Sequence, residues 1–474
     1  MNGPHIKRIT LLAVFIIALV QAFAQNSDER YVKPLKQVLL EVEQRFSIKI
    51  KYADSMVNNK QVAYADWRYR NDAATTLENI LLPLDMKAKR ESDKVYKLSY
   101  YEYYRWTVED GWAELDRIAS GYSTIADWEK RKALLKPCLL ESLQLNDLPA
   151  APLTKPIATA IRKHDGYTVQ NIAIEIMPGV YVNGSLYKPE KYRGKIPVIL
   201  NPDGHWEKQR YRPDCQYRCA ALAKMGAMAF SYDLFAWGES LLQFKPEDHR
   251  RSLAMSFQVM GSLRILDYLL SLKDADPSRV AITGGSGGGS HTILVTAIDD
   301  RIKCSAPVVS LSSYFYGGCP CESGMPIHQC GGWTDNVEIA AMAAPRPQLV
   351  VSDGKDWTDH MPEHDLAYME KIYGWYGMKN NITNVHLKEE GHDFGINKRI
   401  AVYQFMAKQL GLDINAIKNK AGAIDESAIT IEKEQALYVF GEKGELLPAN
   451  AVKGFENAAA LFYQWKRNTN DQPE

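Results

Sequence analysis

The sequence predicts an α/β protein, a mostly parallel eight-stranded sheet flanked by helices and preceded by a small α+β domain, on three observations. From residue 151 onward, short apolar runs of strand length alternate with stretches of helix length, the order that yields parallel strands with helical crossovers. The string Val280-Ala281-Ile282-Thr283-Gly284-Gly285-Ser286-Gly287-Gly288-Gly289-Ser290-His291 reads as a buried strand, a glycine-packed turn holding one serine, and a helix start. Gly391-His392-Asp393 falls between the last strand-like run and the last helical run of that region.

The elements follow in order. Lys7 and Arg8 precede the apolar run Ile9 to Val20, and Ala22-Phe23-Ala24 supplies small residues at the cleavage positions. This is the pattern of a secretory signal peptide cut after Ala24, and the run is shorter than the ~20 residues a spanning helix needs. The expectation is export to the periplasm or beyond, with no membrane span after cleavage. Residues 25–100 form a separate unit. Leu35, Val38, Leu39, Val42 and Phe46 recur at helical spacing, Phe46 to Tyr52 alternates like a strand, Ala73 to Leu82 reads as a second helix and Val95 to Tyr100 as a closing strand. Residues 101–150 are helical and aromatic-rich, and Leu148-Pro149-Ala150-Ala151-Pro152 breaks them.

The region 151–412 holds the eight strands. Val169 to Ile176 and Val180 to Tyr187 are an antiparallel pair turning at Pro178-Gly179. Pro197 to Leu200, Ala227 to Tyr232, Val280 to Thr283, Cys304 to Val309, Gln348 to Ser352 and Asn384 to Leu387 supply the other six. Cys215 to Met225 and Ser252 to Leu272 read as crossover helices, and Ile400 to Leu410 as the final helix. Eight strands with a serine turn after the fifth is the α/β-hydrolase plan. Beyond Leu412, the extension 413–474 suggests short strands at Ile429 to Ile431 and Leu437 to Phe440, and a helix from Phe455 to Trp465.

Charge bounds the partners. Lys and Arg together number 57 and Asp and Glu 57, so the formal net charge is zero. Neither nucleic acid nor an anionic membrane is an indicated partner. The seven cysteines are an odd number, so at least one stays out of any disulfide. Cys319, Cys321 and Cys330 share one short stretch and are the expected pairing candidates; Cys215 and Cys219 are helical neighbours. No Cys-x-x-Cys pair announces a zinc site.

Gly284-x-Ser286-x-Gly288 is the nucleophile-elbow pattern, in which a Cβ on either flanking glycine would strike neighbouring backbone. A serine hydroxyl is a poor nucleophile until a base takes its proton, and the base needs an acid to orient it. In this fold the chain order is serine, acid, histidine. His392 is therefore the expected base. The stretch after the seventh strand, Asp353-Gly354-Lys355-Asp356-Trp357-Thr358-Asp359, offers three acids; the place beyond a glycine turn favours Asp356, with Asp353 second and Asp359 third. The oxyanion donors are expected to be the backbone N–H of Gly287 and that of His205 or Trp206, in the loop after the third strand. Trp206, Trp237 and Trp357 fall on loops around the expected mouth and are candidates to bind substrate or simply to pack. His360 and His364 flank Pro362 and lack the glutamate of a zinc-protease helix, so they read as a turn.

These motifs resemble the acetyl xylan esterase-like branch of the α/β hydrolases, relatives of dienelactone hydrolases and prolyl oligopeptidases. The resemblance rests on Gly204-His205, Asp233 to Ser240, Gly284 to Ser290, Asp300-Arg301-Ile302-Lys303, Gly317-Gly318-Cys319-Pro320-Cys321-Glu322, Ala344-Pro345-Arg346-Pro347, Asp353 to Thr358 and Gly391-His392-Asp393. It spans roughly Thr107 to Leu412. The turn Asp233 to Ser240 departs from the family's pattern by carrying Ala236 and Trp237 in its first glycine region. Residues 31–100 resemble, by order and spacing, the short N-terminal domain of secretins and TonB-dependent receptors, which implies a periplasmic protein partner. The resemblance implies an exported serine carboxylesterase that removes acetyl or another small acyl group from a glycan, with no cofactor and no metal. Two alternatives stand beside it: a prolyl-oligopeptidase-like peptidase and an inactive interaction protein. The first usually carries a propeller, which about 120 residues cannot build at ~40 or more per blade; the intact Ser286 and His392 argue against the second.

Overall fold

The computed structural model describes residues 32–81, 84, 86–100, 106–148, 152, 154–314, 319 and 327–470. The expected signal peptide lies outside them, as does Cys321. The chain divides into two compact units, Met1–Glu102 and Tyr103–Glu474.

In the first unit the elements run β1 (Val32–Pro34), α1 (Leu35–Phe46), β2 (Lys49–Lys51), β3 (Gln61–Ala63), α2 (Ala73–Leu81), β4 (Met86–Ser92) and β5 (Val95–Tyr100). Strands order β2-β5-β4, while β1 pairs antiparallel with β3. Leu35, Val38, Leu39 and Val42 of α1 share one face and are fully buried against Leu77, Ile80 and Leu81 of α2 and Ile50, Tyr96 and Leu98 of the sheet. Each such side chain contributes about 1.5–3 kcal/mol. Helix α1 stops at Ser47, which takes φ 53° and returns its N–H to the Glu43 carbonyl. The expected helices and strands are present. β1, β3 and the charged edge strand β4 were not anticipated.

The second unit opens with α3 (Val108–Ala119) and α4 (Ile125–Ser142). Thr107 and Thr124 cap them, each side chain accepting from the backbone N–H three residues on. Then come β6 (Ile157–Ala158), β7 (Arg162–His164), β8 (Tyr167–Met177), β9 (Val180–Pro189), β10 (Ile196–Pro202), α5 (Pro213–Lys224), β11 (Met228–Tyr232), α6 (Ser252–Ser271), β12 (Ala275–Gly285), α7 (Gly287–Ile298), β13 (Cys304–Val308), α8 (Asn336–Ala341), β14 (Gln348–Asp353), α9 (Asp365–Trp375), β15 (Ile382–Leu387), α10 (Ile396–Leu410) and α11 (Phe455–Asn470). The sheet runs β15-β14-β13-β12-β10-β11-β9-β8-β6, with β7 also on β8. The pairings from β11 to β15 are parallel; β8, β9 and β11 pair antiparallel. This is the α/β-hydrolase fold. Val198, Ile199 and Leu200 of β10 have no exposure, as expected of a strand covered on both faces.

Three expectations are corrected. The sheet has ten strands, because β6 and β7 add a short edge to the expected eight. Residues 429–440 are not strands: their only regular element is a 3-10 turn, Glu434–Leu437. Their apolar alternation is real, but side chains of the main body take their backbone groups in place of a partner strand. Asn171 Nδ2 donates to the Ala436 and Tyr438 carbonyls, Arg210 to that of Leu437, and Glu239 accepts the N–H groups of Val439 and Phe440. Finally, the disulfide joins Cys330 to Cys138 on α4, not to a neighbour in its own stretch. The chain brings these two Cα atoms to 5.6 Å across 192 residues. Cys215, Cys219, Cys304 and Cys319 lie outside disulfides. No described helix is long and apolar enough to cross a membrane.

Candidate active site

Strand β12 delivers Ser286 to the carboxyl end of the sheet. There the residue takes φ 55° and ψ −126°, a strained conformation for a side chain with a Cβ, and α7 begins at the next position. Two contacts hold it: its N–H donates to the Val308 carbonyl of β13 (3.0 Å), and its own carbonyl accepts from Gly289 (2.8 Å). The flanking glycines are required by space. A Cβ at Gly284 would lie 2.5 Å from the Gly288 carbonyl oxygen and 2.6 Å from that of Pro202; one at Gly288 would lie 2.6 Å from the Asp203 carbonyl oxygen. Ser286 is 4 % exposed, and the N-terminus of α7 places partial positive charge beside it.

Three residues far apart in sequence meet here. Ser286 Oγ lies 2.9 Å from His392 Nε2, and His392 Nδ1 lies 2.7 Å from Asp356 Oδ2. The carboxylate can only accept, so the imidazole carries its proton on Nδ1 and offers the Nε2 lone pair to the serine. Asp356 Oδ1 accepts from the Thr358 N–H and hydroxyl, both at 2.6 Å. Burial works to raise the Asp356 pKa, but the bonds from His392 and Thr358 outweigh it and hold the carboxyl below its ordinary value. The other two acids are elsewhere. Asp353 accepts from the Lys355 N–H and faces Lys398 at 3.3 Å; burial, with the neighbouring Asp356 charge, pushes it up to about 6. Asp359 accepts from the Tyr314 hydroxyl at 2.6 Å.

Aromatic rings wall this chain of bonds. Trp357 and Trp206 lie 4.2 Å and 5.5 Å from the His392 ring, centroid to centroid. Trp206 is itself covered by the Arg212 guanidinium. Trp237 packs against His205 and His249. The His205 ring lies over the residue after the nucleophile: a Cβ at Gly287 would sit 2.7 Å from its Nδ1.

Two features were not visible beforehand. Lys398 of α10 has a fully buried side chain, and its ammonium donates to the Gly391 carbonyl (2.7 Å) and to Asp393 (2.8 Å) and Glu390 (3.2 Å), while pairing with Asp353. It ties the loop of His392 to the strand end that leads to Asp356. The turn after β11 is anchored by buried Arg210, which donates to Asp233 (3.0 Å) and Glu239 (3.3 Å). Within that turn Ala236 has φ 55°, the conformation for which the family's glycine would be suited. An isolated lysine on a helix or an arginine in a loop has no spacing that marks it in sequence.

Comparison with known proteins bears on what this site serves. A family model described as acetyl xylan esterase (AXE1) matches residues 257–316, the stretch from α6 through the elbow. The acetyl esterase Axe7A of Xylanibacter ruminicola is 28% identical over 182 residues, 33% of this chain; the chain spans 40% of that relative's length. The solved structure of methylesterase BT1017 is 48% identical, with a TM-score of 0.73, covering 93% of this chain and 98% of that one.

Proposed function

Since the chain belongs to the acetyl xylan esterase-like family of carboxylic ester hydrolases, we propose that it is an exported serine esterase acting on a small ester carried by a glycan, with Ser286, His392 and Asp356 as its triad. The observation that carries the reading is the unbroken line of hydrogen bonds from Asp356 through His392 to a serine in the strained elbow.

The geometry suits acyl transfer. His392 Nε2 takes the Ser286 proton as Oγ attacks the ester carbonyl, and Asp356 stabilises the imidazolium that results. The oxyanion forms beside the N–H groups of Gly287 and His205, at the start of α7. His392 then protonates the leaving alcohol, and an acyl-serine remains. Water attacks it with the same imidazole as base, releasing the acid and restoring Ser286. None of these steps calls for a cofactor. Trp206, Trp237 and Trp357 are each half-buried, leaving part of every indole to meet a sugar ring. The first unit is proposed to dock a periplasmic protein, as its resemblance to secretin-type modules implies.

A second substrate reading has its own support. The relative at 48% identity is a methylesterase, so a methyl ester of a sugar acid stands beside an acetyl ester of a sugar hydroxyl. The two place the small group on opposite sides of the scissile bond: methanol is the leaving alcohol in one case, while in the other the sugar leaves and the acetyl group stays on Ser286 until water releases it as acetate. Purified wild type is expected to release methanol or acetate from esterified glycans and to react with a fluorophosphonate probe. Ser286→Ala should lose both, with kcat down by about 10³-fold or more. A Ser286→Ala protein that still hydrolyses p-nitrophenyl acetate would rule out this triad, and the product identified by the glycan screen decides between the two esters.

A further inference from the structure

Beside the proposed triad lies a cluster whose side chains the reaction above does not use. His205 of the loop after β10, His249 of the 3-10 turn Pro246–Arg250, and Cys319 bring one donor atom each to a common point, all within 4.8 Å of one another. His205 Nε2 lies 2.8 Å from His249 Nε2 and 3.6 Å from Cys319 Sγ. His249 and Cys319 are buried.

The orientation of His249 is set by a second contact. Its Nδ1 lies 2.6 Å from the Phe235 carbonyl oxygen. A carbonyl only accepts, so the imidazole proton is on Nδ1, and Nε2 presents a lone pair to His205. A histidine held by a backbone carbonyl on one nitrogen is the usual preparation for metal ligation through the other. Two imidazole nitrogens facing each other at this distance share either the N–H of a neutral hydrogen bond, donated by His205, or a metal ion. Zinc bonds of about 2.0–2.1 Å to nitrogen and 2.3 Å to sulfur place tetrahedral neighbours roughly 3.3–3.6 Å apart. The nitrogen–sulfur distance already fits; the nitrogen pair needs to open by about half an ångström. The Trp237 indole packs against both imidazoles, and its buried N–H has no acceptor among the described residues. A water in the fourth position of an ion would supply one.

We propose that His205, His249 and Cys319 bind a single divalent zinc-type ion with one coordination position left open. Protons balance on binding: the Cys319 thiol proton leaves to solvent, and the His205 proton moves from Nε2 to Nδ1. Nothing is oxidised or reduced. The ion lies against the ring that covers Gly287, so it sits at the edge of the proposed oxyanion position.

The test is metal binding by the full chain, not hydrolysis. After equilibration with zinc and dialysis, the wild type is expected to retain stoichiometric zinc by elemental analysis. Its cobalt form should show tetrahedral ligand-field bands with thiolate-to-cobalt charge transfer. His249→Ala and Cys319→Ala should each weaken zinc binding by about tenfold or more, and Cys319→Ala should abolish the charge-transfer band. A wild type that keeps no zinc, a cobalt spectrum without thiolate charge transfer, or uptake that survives both substitutions would each overturn the proposal. The wild-type spectrum decides even if a variant fails to fold. Ser286→Ala keeps all three ligands and should bind zinc as the wild type does, which separates failure of the metal site from failure of the triad.

Discussion

A carboxylate earns a place in a triad by what it orients, and the three acids after β14 differ in that respect. Asp356 is the one bonded to His392 Nδ1. Asp353 serves Lys355 and Lys398, and Asp359 serves Tyr314. Replacing Asp356 by Asn keeps the size but gives the imidazole a donor or a weaker acceptor, and the wrong tautomer is then favoured. Asp356→Asn is expected to lower kcat by about 10²–10⁴-fold with KM little changed. Asp359→Asn should cost less than about tenfold, since it lies outside the line from Asp356 to Ser286 and its amide oxygen can still accept from Tyr314. Steady-state kinetics of the two variants on one ester checks the assignment; equal losses would refute it. At this scale the sequence was most informative where the partners are close to a local landmark. Ser286 is marked by its glycines, and His392 by a loop between strand and helix. The acid could be narrowed to three by the stretch that follows β14, and the glycine turn placed Asp356 first among them. His249 and Cys319 had no such landmark: they stand 44 and 114 residues from His205, and only folding brings them together.

Elements fix how precisely those residues meet. Lys398 adds a second tie between the loop carrying His392 and the end of β14, since its ammonium reaches both. Lys398→Met removes the ammonium paired with all three carboxylates and leaves Asp353 buried with like charge beside it. Breaking a buried pair of this kind costs about 3–5 kcal/mol. The variant is expected to unfold at lower urea and, in the folded protein, to lose kcat by roughly tenfold or more as His392 drifts from Ser286. Unchanged kcat in folded Lys398→Met would show that the loop holds itself. Reading elements from periodicity succeeded for α1, β8 and β9, whose patterns report the faces they bury. It failed for residues 429–440, where alternation again reports burial but the hydrogen-bond partners are side chains. β6 and β7 were missed because two- and three-residue strands are too short to show a period.

The whole molecule holds histidines that resist protonation while it is folded. Burial presses His291 of α7 down to about 3 and His328 to about 4. Both would titrate near 6.5 when unfolded, so the unfolded chain binds more protons than the folded one below that pH. Stability is therefore expected to fall as pH drops from about 6.5 toward 4. Asp353 works the other way: its folded pKa is raised to about 6, so the folded state holds a proton that the unfolded state has lost, which offsets part of the effect. Urea midpoints at neutral and mildly acidic pH measure the net result, and His328→Gln should flatten the dependence. A midpoint that does not move with pH would contradict it. The way residues 429–440 attach has a consequence for how this family varies. Asn171, Arg210 and Glu239 stand in for a missing strand, each gripping backbone rather than any particular side chain. The segment's exposed residues can therefore change freely, while its buried Leu437, Val439 and Phe440, those three positions and its length cannot change alone. In a collection of homologues they should be kept or lost as one block.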